Sequence, residues 1–369
     1  MQKIHLIVGA RPNFMKMAPL YKEFKKNSDV FDVKLIHTGQ HYDERMSKLF
    51  FVDLEMPEPN IYLGVGSGSH GIQTAKILEL YEKEILIDKP DLVIVAGDVN
   101  STIACAMAAV KLHIPVAHLE AGLRSFDRTM PEEINRLLTD VICNYLLTPS
   151  LDGNQHLMNE GIPKEKIHFV GNIMIDSLVQ YKDKANKSKI LNDLKLKEGS
   201  YSLITLHRPS NVDTEEGLKI ILNAFNEISK KIKLVFPIHP RTQNNIDKLG
   251  MREFVNKIEN LILIPPAGYL DFMKLQMNAK FLLTDSGGLQ EESTYFGIPC
   301  LTLRENTERP ITITEGTNKL VKLDTEEIIR ESMEIIEGRV KRGKVPEKWD
   351  GKTSERIVEI FKQEFGLKK

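Results

Sequence analysis

Leu92-Val93-Ile94-Val95-Ala96-Gly97-Asp98-Val99-Asn100-Ser101-Thr102 is a short β-branched apolar run, then a glycine, then a polar turn, and the apolar stretch Ile103 to Val110 follows it. This is the signature of a strand buried on both faces that feeds a crossover helix. The alternation repeats along the chain. Strands are expected at Lys3 to Val8, Val33 to His37, Leu92 to Ala96, Pro115 to Leu119, Tyr145 to Leu147 and Ile167 to Val170. A second series is expected at Ser202 to Leu206, Leu234 to Ile238, Leu261 to Ile264, Phe281 to Thr284, Pro299 to Leu303 and Lys319 to Leu323. Helix-period segments between such runs predict parallel α/β sheets covered by helices. The lysine-rich segment Tyr181 to Ser200 separates the series, and Thr353 to Phe365 has the spacing of an amphipathic helix capped by Thr353 or Ser354.

The 369 residues suffice for about two domains. Charge balances at 50 Lys plus Arg against 51 Asp plus Glu, so no bulk charge recruits nucleic acid. Leu92 to Gly97 and Ile103 to Val110, the longest apolar stretches, fall far short of the roughly 18 residues of a membrane span. The N-terminus runs straight into a strand-like segment without a secretory pattern, which makes the cytoplasm the expected address. Cys105, Cys143 and Cys300 lie far apart in apolar contexts and read as buried thiols.

Ligands of open α/β sheets bind beyond the carboxyl ends of strands, and those positions are unusually polar here. The first half shows Gly9-Ala10-Arg11-Pro12-Asn13-Phe14-Met15-Lys16, Gly97-Asp98 and Glu120-Ala121-Gly122-Leu123-Arg124. The second shows His207-Arg208, His239-Pro240-Arg241 and Asp285-Ser286-Gly287-Gly288. Two such edges facing each other would form a cleft dense in ionisable groups. Ser286-Gly287-Gly288 opens a helix after a buried strand, where unpaired N–H groups accept an anion; a plain serine-capped helix explains the segment in isolation equally well. Glu292 lies one turn deeper on the same face, placed for ribose hydroxyls. Arg11, Lys16 and Arg309 can supply charge to a diphosphate, and His207 and His239 can donate to its oxygens. Asp98, Glu120 and Glu132 give several carboxylates for proton transfer at carbon; each singly has a structural explanation, and three scattered acids fit a metal less well when cations are available. Gly64-Val65-Gly66-Ser67-Gly68-Ser69 lacks the strand and spacing of a dinucleotide fingerprint and reads as a mobile loop beside a site.

In order along the chain, Gly9-Ala10-Arg11-Pro12 with Lys16, Thr38-Gly39-Gln40-His41, Gly97-Asp98, His118-Leu119-Glu120-Ala121-Gly122-Leu123-Arg124, Pro131-Glu132-Glu133-Ile134-Asn135-Arg136, Leu206-His207-Arg208, Ile238-His239-Pro240, Thr284-Asp285-Ser286-Gly287-Gly288 and Thr307-Glu308-Arg309-Pro310 resemble the non-hydrolysing UDP-N-acetylglucosamine 2-epimerase family. The resemblance covers nearly the whole chain. It implies two Rossmann-like domains in a glycosyltransferase-B-like arrangement, residues 1–172 with 352–369 and residues 173–351, the C-terminal helix returning to the first. It also implies a homodimer, a UDP-sugar substrate, and neither metal nor nicotinamide cofactor. By position, Asp98, Glu120, Glu132 and His207 correspond to catalytic residues. Arg11, Lys16, His239, Ser286, Gly287, Gly288, Glu292 and Arg309 correspond to residues lining the UDP-sugar site. A regulatory site for a second UDP-N-acetylglucosamine would involve Gln40, His41 and Arg208, but Tyr42-Asp43 replaces a basic pattern and no arginine occurs between Gly71 and Leu80. Gln40-His41-Tyr42-Asp43 with Ser69-His70-Gly71 is also similar to relatives acting on UDP-diacetamido uronic acids. A hydrolysing epimerase releasing N-acetylmannosamine, a glycosyltransferase and a silent nucleotide-sugar sensor are the rival readings.

Overall fold

A computed structural model describes residues 1–40 and 55–367, which divide into two units. In the first, β1 (Gln2–Val8), β2 (Phe31–His37), β3 (Ile61–Tyr62), β4 (Leu92–Ala96), β5 (Val116–Leu119), β6 (Tyr145–Thr148) and β7 (Ile167–Phe169) form one sheet in the order β3-β2-β1-β4-β5-β6-β7. Every pairing in it is parallel. In the second, β8 (Tyr201–Thr205), β9 (Lys233–Pro237), β10 (Leu261–Ile264), β11 (Phe281–Thr284), β12 (Cys300–Leu303) and β13 (Asn318–Val321) run in the order β10-β9-β8-β11-β12-β13, again parallel. The twelve expected strands are present within one or two residues of their expected ends. β3 was not expected; two residues are too few to carry a periodicity, and pairing with β2 defines it.

Among helices of nine or more residues, α1 (Arg11–Lys26), α2 (His70–Ile87), α3 (Asn100–Lys111), α4 (Pro131–Ile142), α5 (Leu151–Asn159) and α6 (Ile173–Asn186) belong to the first half of the chain. α7 (Glu215–Ile228), α8 (Pro240–Lys248), α9 (Tyr269–Met277), α10 (Gly287–Phe296) and α11 (Thr325–Ile336) follow, and α12 (Thr353–Glu364) closes the chain. All five residues of β4 are buried, consistent with a strand covered on both faces. Cys105, Cys143 and Cys300 are buried free thiols. No helix among the described residues is long and apolar enough to cross a membrane.

The first unit comprises Met1–Gln180 and Glu347–Lys369, and the second Tyr181–Pro346, against the expected boundaries near 172 and 352. α6 explains the shift because it serves both units in turn. Ser177 Oγ donates to the Met15 carbonyl and Val179 packs on Gly351, whereas Tyr181 stacks edge-on with Tyr269 at 6.0 Å between centroids.

The C-terminal helix packs in the first unit with α1, and its cap differs from expectation. Thr353 and Ser354 lie inside its first turn, and the buried Asp176 on α6 accepts from Thr353 N–H (3.0 Å), Ser354 N–H (2.7 Å) and Ser354 Oγ (2.7 Å). A carboxylate at the positive end of a helix also opposes its dipole favourably. Asp176→Ala orphans these donors and is expected to cost about 2–3 kcal/mol, read as lost amide-exchange protection across α12.

Candidate functional site

Each sheet reverses its winding at one place, β1 beside β4 in the first unit and β8 beside β11 in the second. A crevice forms at such a point because the flanking loops diverge to opposite faces of the sheet. Arg11 opens α1 after β1, and Asp98 follows β4. His207 follows β8, and Asp285-Ser286-Gly287-Gly288 follows β11.

Gly97 takes a left-handed turn (φ +67°) from β4 into Asp98, where a β-branched residue would be strained. Glu120, beyond β5, is also left-handed (φ +70°), a conformation that is costly for a residue with a Cβ and that it shares with other turn residues such as His113 and Asn260. Its carboxylate is almost fully buried, with Oε2 2.5 Å from Lys16 Nζ and Oε1 without a hydrogen-bond partner. Asp98 is more open and accepts from Arg136 through Nε (3.0 Å) and Nη2 (2.6 Å). Arg136 in turn pairs with buried Glu133, which accepts from the backbone N–H groups of Ser125 and Phe126. Asp98 and Glu132 line one cavity with Gln40, Ser67, Gly68 and His70, so two of the three expected carboxylates share a wall. Glu120 is set apart from them by its pairing with Lys16, although both Lys16 Nζ and Glu120 Oε2 lie within 4 Å of a Cβ built on Gly97.

Gln40 is buried, and its Oε1 accepts from Ser101 N–H (2.9 Å) and Ser101 Oγ (2.6 Å), holding the start of α3. His41, grouped with it, lies outside the described residues. The glycine run, expected as a mobile loop, is anchored by Val65 N–H to Thr38 O and Gly66 N–H to Gly39 O.

In the second unit Asp285 is fully buried and gathers the loop after β8. It accepts from His207 N–H (3.0 Å), Arg208 N–H (2.8 Å) and Asn211 Nδ2 (3.2 Å), and its Oδ1 lies 2.9 Å from His207 Nδ1. Burial pushes this carboxyl up, but the His207 ring and the two backbone donors outweigh it and hold the group below its usual range. An ionised Asp285 fixes a proton on His207 Nδ1 and turns Nε2 outward on a half-exposed ring.

Ser286 stands at the N-cap of α10, yet its side chain makes no capping bond, so the plain serine-cap reading fails. A Cβ on Gly287 would lie 2.6 Å from Arg309 Nη1 and displace that guanidinium, whereas a Cβ on Gly288 meets nothing within 4 Å. Arg309, expected as a phosphate cation, packs against this loop with Nε 3.0 Å from Glu291 and Nη1 3.3 Å from Glu308. Like Lys16, it is engaged by a carboxylate from another element, here Glu291 of α10, and by that of the adjoining Glu308. Glu292 is buried in α10; burial, then the neighbouring Glu291 carboxylate, pushes it up to about 8, so at neutral pH it is largely protonated and can both donate and accept. His239 caps α8 by accepting Arg241 N–H on Nδ1, which places its ring proton on Nε2. Arg208 occupies the cap of the short helix Pro209–Val212.

Asp285, Arg136, Glu133 and Arg304 were not singled out from the sequence. The signal was available for Asp285, which directly follows β11, but not for the others, whose burial among partners depends on tertiary packing. Arg304 is buried, with Nη2 2.8 Å from Glu308.

A family model described as UDP-N-acetylglucosamine 2-epimerase matches residues 22–362. A Methanococcus maripaludis protein named UDP-N-acetylglucosamine 2-epimerase homolog is 50% identical over 329 residues, covering 89% of this chain and 90% of that one. A Pseudomonas aeruginosa UDP-2,3-diacetamido-2,3-dideoxy-D-glucuronate 2-epimerase is 41% identical over 86% of this chain and 88% of its own. The crystal structure of the Methanocaldococcus jannaschii UDP-GlcNAc 2-epimerase in complex with UDP-GlcNAc and UDP superposes with a TM-score of 0.89 at 43% identity, covering 98% of this chain and all of that one. A match of this extent, on a chain that carries the ordered strand-end motifs, places it in the UDP-N-acetylglucosamine 2-epimerase family.

Proposed function

We propose that this protein interconverts UDP-N-acetylglucosamine and UDP-N-acetylmannosamine without hydrolysis, supplying a precursor for cell-surface glycans. The observation that carries this reading is Glu120, a buried left-handed residue with one carboxylate oxygen paired to Lys16 and the other unpaired. Such a group can exchange a proton with a substrate carbon. The hydrogen on C2 of the sugar is not acidic, so its removal is coupled to breaking of the C1–O bond, the electron pair leaving with UDP. The Ser286-Gly287-Gly288 helix start and His207 Nε2 receive the developing charge on the diphosphate, and Glu292 meets the ribose hydroxyls. A carboxylate takes the C2 proton. Asp98, Glu120 and Glu132 provide more than one acid/base group, so the glycal can be reprotonated from its opposite face while UDP adds back to C1.

A homodimer working in the cytoplasm completes the proposal; sedimentation velocity checks the first, and three buried free thiols are consistent with the second.

NMR of UDP-N-acetylglucosamine incubated with the protein in deuterium oxide is the direct test. Deuterium at C2, UDP-N-acetylmannosamine as product and no free sugar are expected; free N-acetylmannosamine identifies the hydrolysing rival, and an unexchanged substrate the sensor. Gly288→Ala adds a methyl into open space, so stability is expected to be unchanged while UDP affinity falls by roughly tenfold or more, as calorimetry would measure.

A further inference from the structure

His118 in β5 is fully buried two residues before Glu120, and both of its ring nitrogens face acceptors. Nε2 lies 2.7 Å from the Gly97 carbonyl oxygen and Nδ1 lies 2.6 Å from Asp140 Oδ1. A backbone carbonyl has no proton to give, so Nε2 donates. Asp140 Oδ2 already accepts from Gly122 N–H (3.1 Å) and pairs with Arg124 Nη2 (2.7 Å), which favours an ionised carboxylate. Burial opposes that ionisation, but the Arg124 guanidinium, charged whatever the state of the ring, offsets it. Nδ1 therefore donates as well, and a ring that donates twice is an imidazolium.

The buried charge is compensated in sequence. His118 faces Asp140, Asp140 faces Arg124, and Arg124 donates to both oxygens of Glu160 at 2.7 and 2.6 Å. Cys143 also lies near Asp140, and burial pushes its thiol well above the usual value and so keeps it neutral. A buried cation with no such chain would be prohibitively costly.

The carbonyl that the ring holds belongs to the left-handed residue joining β4 to Asp98, and Gly97 N–H donates to the Leu119 carbonyl at 3.0 Å. Both polar groups of Gly97 are thus bound to β5, the strand that leads directly into Glu120. We propose that His118 is a doubly protonated positioning residue whose charged N–H fixes the Gly97–Asp98 peptide, so that the Asp98 and Glu120 carboxylates keep one separation through the reaction. Charge-assisted hydrogen bonds are about twice as strong as neutral ones, and proton transfer at carbon is sensitive to small displacements. The inference rests on the acid/base reading of Asp98 and Glu120; the protonation of the ring does not.

The first test is nitrogen NMR of the full-length protein labelled with 15N-histidine at pH 7.5, the His118 signals identified by their loss in His118→Gln. Both ring nitrogens are expected in the protonated range; a non-protonated nitrogen overturns the proposal. The second is Asp140→Asn, where the introduced amide can donate to Nδ1 and leave a neutral ring still bonded to Gly97. kcat is expected to fall by roughly tenfold or more with KM and UDP affinity unchanged, and Asp140→Glu is expected to restore both the imidazolium signal and part of the turnover. Wild-type kcat in Asp140→Asn with a neutral ring overturns the positioning role. Should Asp140→Asn not fold, His118→Gln, whose amide donates to Gly97 without charge, gives the same kinetic reading. Failure of C2 exchange in the wild type strikes the epimerase reading instead, and the ring spectrum still decides the imidazolium.

Discussion

Glu120→Gln and Asp98→Asn are each expected to lower turnover on the order of 10²-fold or more, with a far smaller change in KM, because they remove proton transfer and preserve shape. The two differ in what else they disturb. Asp98 is partly open and shares its arginine with Glu133, so Asp98→Asn should leave stability nearly unchanged. Glu120 is the buried partner of Lys16, and neutralising it strands an ammonium; breaking a buried pair on one side costs up to about 3–5 kcal/mol. Lys16→Met combined with Glu120→Gln removes both charges and should recover stability without recovering turnover. That separation distinguishes a catalytic carboxylate from a structural one. Turnover near wild type in both single variants would remove the acid/base assignment.

Asp285→Asn is expected to have the second-largest effect. The carboxylate organises His207 N–H, Arg208 N–H, Asn211 and the His207 ring at once, and an amide presents a donor to at least one of those donors. The loop after β8 should loosen, and the His207 ring loses the partner that keeps its proton on Nδ1. A fall in turnover of about 10²-fold or more is expected, in the manner of a carboxylate that orients a catalytic imidazole. The pH dependence has a definite sign. Because Asp285 in the folded protein sits below its ordinary value of 3.8, its stabilising contribution is present above that value and disappears as pH falls through the lowered one. Acid unfolding of Asp285→Asn should therefore be less steep than that of the wild type. Identical acid transitions and unaltered turnover would show that the carboxylate does neither task.

The strand pattern was readable because it depends on composition over short windows: Leu92 to Ala96, Leu261 to Ile264 and Phe281 to Thr284 appear with their expected ends. That the candidate residues follow strand ends was readable for the same reason, since it depends only on where the strands stop. Pairings across the fold were not. Lys16 and Glu120 are separated by 104 residues, Arg136 and Asp98 by 38, and Asp176 reaches Thr353 from 177 residues away. Residue type suggested that Thr353 or Ser354 would cap α12 and that Arg309 and Lys16 would serve phosphate. What decides each case is which carboxylate the folded chain delivers, and local sequence carries no record of that. His118 shows the same limit: its imidazole is quoted within a motif, but its doubly donating role exists only once Gly97 and Asp140 meet it.

The return of residues 347–369 to the first unit bears on how the protein is made. A ribosome that has finished Gln180 has delivered every strand of the first sheet but not α12, and residues 181–346 must be synthesised before the segment that α6 and Asp176 await. At about 5–20 residues per second, that interval is on the order of ten seconds to half a minute. During it the surface of α1 that α12 covers is open to solvent and to chaperones, while the second unit, encoded without interruption, can complete its own sheet first. Residues 347–369 thus finish a unit begun before the second was made, and a nascent chain released early by a stop codon near 350 would carry a folded second unit on an unfinished first one.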